Sequence, residues 1–548
     1  MLKSYKNNRK REKIKMKFLK NKTVQSFLFP SIIFIIIYLL IGFRYCTDDD
    51  GTIARTVANG HLNPFSLIWT SYFSHWLHKT FPFVSAWGLF TLGSTYFAIC
   101  KLTNIILLFK NKHIKKISLI ALTIITIDIL IQCNFTKTSF LTLCTGFLCI
   151  QEFLEQKEKK NIIWGIILII IGYSIRPDTL YILIPFIGAY ILIKAIQNKD
   201  KKTFFKELTI YLIISAILLS ISVIDDIKLK SDLGDYIEFN VARSQFLDYN
   251  RERVRHDKTV DISKITTISE NDLIVFNNYF FGDTDYFTTE RIQKLNEEIL
   301  ELNDATKILP QKTLYNFGKL LLHPLGIILL YLLLISFKKK ENFIYLLGTF
   351  LFTCLFTYMV KFPDRIIFCI IVSACFMLLY QLKNEENLIN KKIFKNILAI
   401  SIVIIMFFKF LIPVFIIYND ATTPINDYIE AHPNNNYLIG FSMVIERQCE
   451  TNILSSKTDD LKENIITTSW LINHPFYENI LKERDIQNIN TDLVEKDNYY
   501  LVTYEDDKDC ILMEKYLEEH YYENINYELI DEINKYKIWK FEKEGVKK

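Results

Sequence analysis

The chain has 548 residues, of which 50% are hydrophobic and 23% charged, with only 16 Gly and 12 Pro. Its apolar residues are gathered into long runs typical of membrane spans, which excludes a soluble enzyme, a disordered chain and a small disulfide scaffold. The 65 Lys and Arg nearly balance the 60 Asp and Glu, so the net charge of +5 says little about partners, and the placement of the charges says more.

The first apolar run, over 25–43, directly follows a basic segment. Residues 1–24 hold many Lys and Arg but a single acid, Glu12. The positive-inside rule therefore places the N-terminus in the cytoplasm. Because no small-residue cleavage site follows the run, we interpret it as a retained first span.

About eleven spans are predicted along the chain, which makes it an α-helical polytopic membrane protein with its transmembrane domain over 25–418. The spans cover roughly 25–43, 82–108, 117–133, 138–153, 161–175, 179–195, 207–224, 321–337, 342–360, 365–382 and 394–418. Each of the five predicted inner loops carries a cluster of lysines, near 110–116, 157–160, 199–206, 338–340 and 391–395. An odd number of spans places the C-terminus outside the cytoplasm.

Three outer pieces follow from this topology: outer loop 1 at 44–81, a large outer loop at 225–320 and a tail at 419–548. In the large loop, Ser269-Glu270-Asn271-Asp272 predicts a helix start, and Glu290–Leu302 has an amphipathic pattern. The tail alternates strand-like runs with a helical stretch near Ile511–His520, which predicts an extracytoplasmic α/β domain. The strand-like runs are Tyr437–Phe441, Tyr499–Tyr504 and Tyr536–Phe541. Cys449 and Cys510 lie on the side where disulfides persist, and we expect them to pair.

The strongest local signal is Asp48-Asp49-Asp50, five residues beyond the first span. Adjacent carboxylates repel one another, so the cluster suits either a general base or a divalent metal such as Mg²⁺ or Mn²⁺ bound by oxygen ligands. The alternative interpretation is that these acids mark a loop and cap the helix that follows them. An aromatic stretch over Phe65–Leu77, too polar to span, is expected to lie along the outer membrane interface.

Several charged residues fall at the outer ends of other predicted spans. Arg176, Lys361 and Arg365 lie in short turns between spans, and His323 opens the eighth span. Each has a simpler interpretation as an interface anchor or a helix-start residue. Asp128 lies within the third predicted span, where an unpaired carboxylate is costly, and its simpler interpretation is a pair with the nearby Lys137. Their convergence on one membrane face predicts a carboxylate base beside a cationic clamp, a combination suited to a lipid-linked phosphate.

This layout resembles the GT-C superfamily of integral-membrane glycosyltransferases. In that superfamily an acidic residue just after the first span is the catalytic base, and a second large outer loop follows span seven. The resemblance implies a transferase that moves a sugar from a polyprenyl-phosphate donor to a glycan or lipid acceptor of a bacterial cell envelope. It implies Asp48 or Asp49 as the base, with Arg176, Lys361 and Arg365 as partners of the donor phosphate. The residues themselves do not decide among Asp48, Asp49 and Asp50, and their convergence adds His323 to the candidates for phosphate binding. The Trp-Trp-Asp signature of oligosaccharyltransferases is absent, and the acidic pair of protein mannosyltransferases, Asp-Glu, is here Asp-Asp.

Two other functions remain open from the sequence. The chain could be a transporter or flippase for lipid-linked glycans, although no paired halves with interrupted helices are found. It could also be a non-catalytic assembly protein of the envelope whose tail is a binding module. In all three cases the partners are a membrane and a glycan, and no nucleic acid is expected.

Overall fold

Helices dominate the fold. The computed structural model describes residues 21–45, 48–255, 257–304, 309–359, 361–386, 388–389, 392–407, 423–440, 452–456 and 464–543. The helices before the tail are α1 (Lys22–Ile41), α2 (Asp48–Ala58), α3 (Ile68–Thr80), α4 (Ala86–Leu107), α5 (Lys112–Ile131), α6 (Phe135–Gln156), α7 (Lys159–Ile175), α8 (Thr179–Asn198), α9 (Lys201–Gln245), α10 (Glu270–Asn277), α11 (Thr289–Leu302), α12 (Leu309–Leu321), α13 (Pro324–Ile335), α14 (Ile344–Tyr358), α15 (Asp364–Gln381) and α16 (Lys392–Met406).

Each predicted span overlaps one of these helices, but the number that can cross a membrane is smaller. By length and composition, five helices of the described chain qualify, or six if the bent pair α12 and α13, which meet at 83°, forms one span. Helices α7, α13, α14 and α16 have only 12 to 17 residues. At 1.5 Å per residue they are shorter than the roughly 30 Å of a bilayer core. The count of eleven is therefore not confirmed, whereas several candidate membrane-spanning helices are present.

Helix α6 lies at the centre of the bundle. Its residues from Phe135 to Glu152 are all buried, although many of them are polar. It packs on α7 almost backbone to backbone, since a Cβ added at Gly172 would lie 2.5 Å from the Leu143 nitrogen. The Ser139 hydroxyl donates a hydrogen bond to the Gly172 carbonyl at 2.7 Å across the same contact. Small residues at such an interface let two helices approach closely.

Apolar side chains are exposed on the outside of the bundle, as expected of a surface that faces lipid. They include Leu39 and Leu40 on α1, Ile224 on α9 and Leu351 on α14, all more than half exposed. Contiguous apolar surface of this kind marks a membrane or partner contact, because soluble monomers rarely expose it.

The tail folds into a small α/β unit, as predicted. It contains α17 (Thr423–Ala431), β1 (Asn436–Ile439), β2 (Ile465–Thr467), α18 (Pro475–Glu483), α19 (Asp492–Glu495), β3 (Tyr499–Tyr504), α20 (Lys508–His520), β4 (Ile525–Ile533) and β5 (Tyr536–Lys543). The sheet order is β2-β1-β3-β5-β4. Strands β2, β1 and β3 are parallel, whereas β5 is antiparallel to β3 and β4.

The two helices predicted in the large loop are present at α10 and α11. Ser269 caps α10 in a capping box with Asp272, and α11 buries Ile292, Leu295 and Ile299. The start of this loop is itself helical, because α9 continues past residue 224 through a π turn at Phe246–Asn250 and a last turn at Arg251–Arg255.

One apolar core joins the tail to the bundle. Ile53 of α2, Phe276 of α10 and Leu501 of β3 belong to the same cluster of buried residues. The tail therefore packs at the end of the bundle where α2 and α6 begin, which we call the site end.

Candidate active site

Asp50 is the more enclosed of the two aspartates in the acidic cluster whose side chains are described. It lies in the first turn of α2, is 1% exposed, and accepts a hydrogen bond from the Phe135 N–H at 3.0 Å. The Asn134 side chain donates to the other carboxyl oxygen at 3.4 Å. Asp50 therefore binds the N-terminus of the central helix α6, whose first N–H groups have no partner within the helix.

This environment favours the protonated form of Asp50. Burial, and next the charge of Asp49, raise the pKa of Asp50 from 3.8 to about 8. The hydrogen bond from Phe135 and the charge of Arg365 act in the opposite direction but do not cancel the shift. At neutral pH the carboxyl is largely neutral, so it is a weak candidate for a base but a suitable cap.

Asp49 lies in a more open position. Its side chain is partly exposed, and its charge acts both on Asp50 and on Tyr279 of the large loop. Of the two aspartates whose side chains the structure describes, Asp49 is the one that a ligand can reach. The side chain of Asp48 lies outside the described part.

Arg176 lies on the same helix terminus. Its guanidinium is 4.9 Å from the centre of the Phe135 ring and 5.8 Å from that of Phe65. It forms an ion pair of 3.5 Å with Asp178, which is mostly exposed. Arg176 and Asp50 thus both contact Phe135, which brings the predicted clamp next to the predicted acid.

Lys361 and Arg365 complete the cationic side. Lys361 pairs with Asp248 at 2.7 Å and lies 5.0 Å from the Tyr249 ring. The charge of Arg365 acts on both Asp50 and Asp248, yet no ion pair or hydrogen bond joins its guanidinium to any residue in the described ranges. A partly buried arginine without a carboxylate partner is able to bind an anion.

Part of the cluster was not predicted, because it comes from the large loop. Arg243 donates two hydrogen bonds to Asn240, and Arg251 stacks on Tyr279 at 4.9 Å. Tyr279 has a φ of +65°, a left-handed conformation that costs a non-glycine residue about 1 kcal/mol or more. The available sequence signal is the group of arginines at 243–255 in a chain rich in lysine.

His323 lies in a second, buried cluster and not beside Arg176. It is 3% exposed, its Nε2 is 3.4 Å from Asp128, and its Nδ1 accepts the Leu325 N–H as the cap of α13. Asp128 also pairs with Lys137 at 2.7 Å, as the simpler interpretation of that residue predicted. We therefore treat His323 as part of the support of the helix ends.

The aromatic stretch after α2 forms α3, whose exposed side carries Trp69, Tyr72 and Trp76. The first turn of the helix is anchored, because the Trp69 indole donates to the Ser174 hydroxyl at 2.8 Å and the Ile68 N–H donates to Asp225. An aromatic face of this kind suits a membrane–water interface.

Two further predictions fall wholly or partly outside the described residues. Cys449 is one of the undescribed residues, so the pair with Cys510 stays a prediction. A metal at Asp48, Asp49 and Asp50 also stays a prediction. Within the described part, the carboxylate and histidine atoms close enough to share an ion belong to Asp272, Glu519 and His520, where α10 meets α20. There Asp272 already accepts a hydrogen bond from His520 at 2.8 Å.

No protein-family model, no curated protein and no solved structure matches the chain. Its function therefore has to be argued from the site itself.

Proposed function

We propose that the chain is a GT-C-type membrane glycosyltransferase. In this proposal it transfers a sugar from a polyprenyl-phosphate donor to a cell-envelope glycan or lipid acceptor on the outer face of the membrane. The observation that carries the proposal is the cluster of Arg176, Lys361 and Arg365, whose charges act on one another. Arg365 also acts on Asp50, the neighbour of Asp49. A base and an unpaired cation side by side are what sugar transfer from a lipid phosphate requires.

The charge balance of the site favours an anionic donor. Lys361 pairs with Asp248 and Arg176 with the mostly exposed Asp178, whereas Arg365 forms no ion pair within the described part of the chain. Asp50 adds little negative charge, because it is largely protonated at neutral pH. The leaving phosphate would therefore find its counter-charge in Arg365.

The proposed reaction assigns different roles to the two described aspartates. Asp49 takes the proton of the acceptor hydroxyl as the acceptor oxygen attacks the anomeric carbon. The bond between that carbon and the phosphate oxygen breaks, and the electron pair leaves with the polyprenyl phosphate. Asp50 keeps the start of α6, and with it Phe135 and Arg176, in place.

The other end of the bundle supports the proposed orientation. There Lys383 pairs with Glu152 and Glu155, and Lys194 pairs with Glu155 and Glu207. Lysine-rich loops are expected on the cytoplasmic side, and in this proposal the site end and the tail therefore lie outside. The eleven-span topology is part of this proposal, with the bilayer locally thinner around the short helices.

The test uses the full chain purified in detergent, with a panel of polyprenyl-phosphate hexoses and with glycan and lipid acceptors extracted from bacterial envelopes. Release of polyprenyl phosphate is followed. Asp49→Asn should reduce the rate at least about 100-fold, the usual contribution of a general base. Asp50→Asn should keep most activity, since an amide resembles the neutral acid, and Asp226→Asn on the exposed face of α9 is the matched control.

Turnover in detergent also separates a transferase from a transporter, because a micelle has no second compartment. No release from any donor would contradict the proposal. Full activity of Asp49→Asn together with loss of activity in Asp50→Asn would reverse the assignment of the base.

A further inference from the structure

A cavity of about 660 Å³ lies between the tail and the large loop, apart from the cationic clamp. On the tail side it is lined by Gly440, directly after β1, and by Asp506, Lys508 and Asp509, directly after β3. On the loop side it is lined by Arg251 and Arg255 of the last turn of the long helix and by the end of α10.

Its position in the sheet is the one at which α/β domains bind ligands. Strand β1 lies between its parallel neighbours β2 and β3, so the chain leaves β1 toward one side and later returns on the other. The carboxyl ends of two such strands open a crevice at the point where the strand order reverses. The volume of the cavity is also within the range of small-molecule sites.

Two polar atoms at this cavity lack partners. The side-chain oxygen of Asn277 is buried and accepts no hydrogen bond within the described chain, and the residue is only 6% exposed. The Nε of Arg251 is likewise buried without a partner. An unsatisfied buried polar group costs about 1–3 kcal/mol, so a donor and an acceptor on a ligand would offset part of that cost.

The charged residues that line the cavity indicate which class of ligand it suits. Asp506 and Lys508 form an ion pair with each other, which leaves Arg251 and Arg255 against the single carboxylate of Asp509. The two arginines are suited to bind an anionic group. Asp509 and the Asn277 amide are suited to bind hydroxyl groups, because a carboxylate accepts hydrogen bonds and an amide both donates and accepts them. An anion that also carries many hydroxyls is an acidic saccharide.

We propose that this cavity binds an acidic saccharide, the acceptor glycan of the transferase, with its charged substituent on Arg251 and Arg255 and its hydroxyls on Asp509 and Asn277. The identification of this saccharide as the acceptor glycan rests on the proposed function. Tyr279 connects the two sites, because it lines the cavity and is also within electrostatic reach of Asp49. A glycan bound in the cavity would thus have one end near the base.

The experiment measures binding by calorimetry on the full chain in detergent, without any sugar donor. The probes are tetragalacturonate, neutral maltotetraose and inorganic phosphate. We expect saturable 1:1 binding of tetragalacturonate, and binding at least tenfold weaker for each of the other two. Arg251→Gln, Arg255→Gln and Asp509→Asn should each weaken tetragalacturonate binding at least tenfold.

Arg291→Gln is the matched control, because Arg291 also stacks on a tyrosine, Tyr286 at 4.1 Å, but does not line the cavity. Its affinity should equal that of the unchanged chain. Arg255 is exposed, so its substitution leaves the fold intact and keeps the test valid if Asp509→Asn lowers the melting temperature.

Absence of tetragalacturonate binding, or binding that the three cavity substitutions leave unchanged, would overturn the site. Equal affinity for maltotetraose would overturn the acidic character of the ligand, and equal affinity for phosphate would overturn its saccharide character. Because no donor is present, a chain that binds tetragalacturonate here yet shows no transfer would refute the transferase and leave the saccharide site standing.

Discussion

Replacing Asp50 with asparagine removes a proton that the folded chain holds over most of the neutral range. The pKa of Asp50 is about 8 in the folded protein and 3.8 when the side chain is free in water. Between these values the folded chain binds a proton that the unfolded chain has released. The free energy of unfolding therefore falls as pH rises from about 4 to about 8, and an asparagine, which does not titrate, abolishes this contribution.

The size of the effect follows from the two pKa values. One proton contributes about 1.4 kcal/mol per pH unit inside that window, hence at most about 4 kcal/mol between pH 5 and pH 8. For a chain of 548 residues that unfolds as one unit, this corresponds to a difference of roughly 4 °C in melting temperature. An asparagine still accepts the Phe135 N–H. A poorer contact of its amide with Asn134 would lower stability equally at every pH and so does not enter the slope.

The assay is the melting temperature in detergent at pH 5, 6, 7 and 8 for the unchanged chain, Asp50→Asn and Asp226→Asn. Asp226 is exposed on α9, so its variant should follow the unchanged chain. The unchanged chain should lose stability relative to Asp50→Asn as pH rises. Parallel curves for these two proteins would refute the reasoning, because they would show that Asp50 is ionised in the fold at pH 5.

Three further outcomes are expected. A Cβ at Gly172 would meet the α6 backbone, whereas nothing lies within 4 Å of one at Gly188. Gly172→Ala should therefore lower the free energy of unfolding by about 2 kcal/mol, and Gly188→Ala should be neutral or stabilising. Equal losses in thermal unfolding would contradict the close α6–α7 contact. Burial lowers the pKa of His474 from 6.5 to about 4, so the unfolded chain binds more protons between these pH values. The free energy of unfolding should therefore fall by up to roughly 3 kcal/mol as pH drops from 6.5 to 4. His474→Asn should flatten the pH dependence of the melting temperature in this range, and an unchanged slope would contradict a neutral buried ring. Arg365→Gln should raise the KM for the polyprenyl-phosphate donor roughly tenfold or more, and an unchanged KM would remove this arginine from the donor site.

The elements that the sequence predicted best are those set by local pattern. The Ser269–Asp272 capping box and the Tyr499–Tyr504 strand rest on residues a few positions apart, so they are readable in the chain itself. Strand β4 was missed although Ile525, Tyr527 and Leu529 alternate with polar residues, because the alternation stops at the bulge between Leu529 and Asp531. Strand β2 has only three residues, too few for any periodic signal.

The candidate site was predictable only in part, for a geometric reason. Whole helices separate Arg176 from Lys361 and Arg365 along the chain. The sequence brought them to one side only through the predicted alternation of helix direction across a membrane. The contacts of Arg251 and Tyr279 depend instead on how the large loop packs on the tail, and no local pattern encodes that packing. The difference between Asp49 and Asp50 is of the same kind, because adjacent helical residues point about 100° apart and only the packing decides which one is buried.

Helix α6 links the number of membrane spans to the position of the proposed site. It was predicted as a span over 138–153, yet it is not among the five helices that qualify by length and composition. Helix α5 beside it carries Asp128, which pairs with Lys137 of α6. Polar residues at membrane depth are expensive unless protein surrounds them, and they mark functional sites where they occur. Because α6 is enclosed by its neighbours, it can keep a polar N-terminus where Asp50 and Arg176 meet. The proposed site is therefore built on a helix that length and composition alone do not identify as a span.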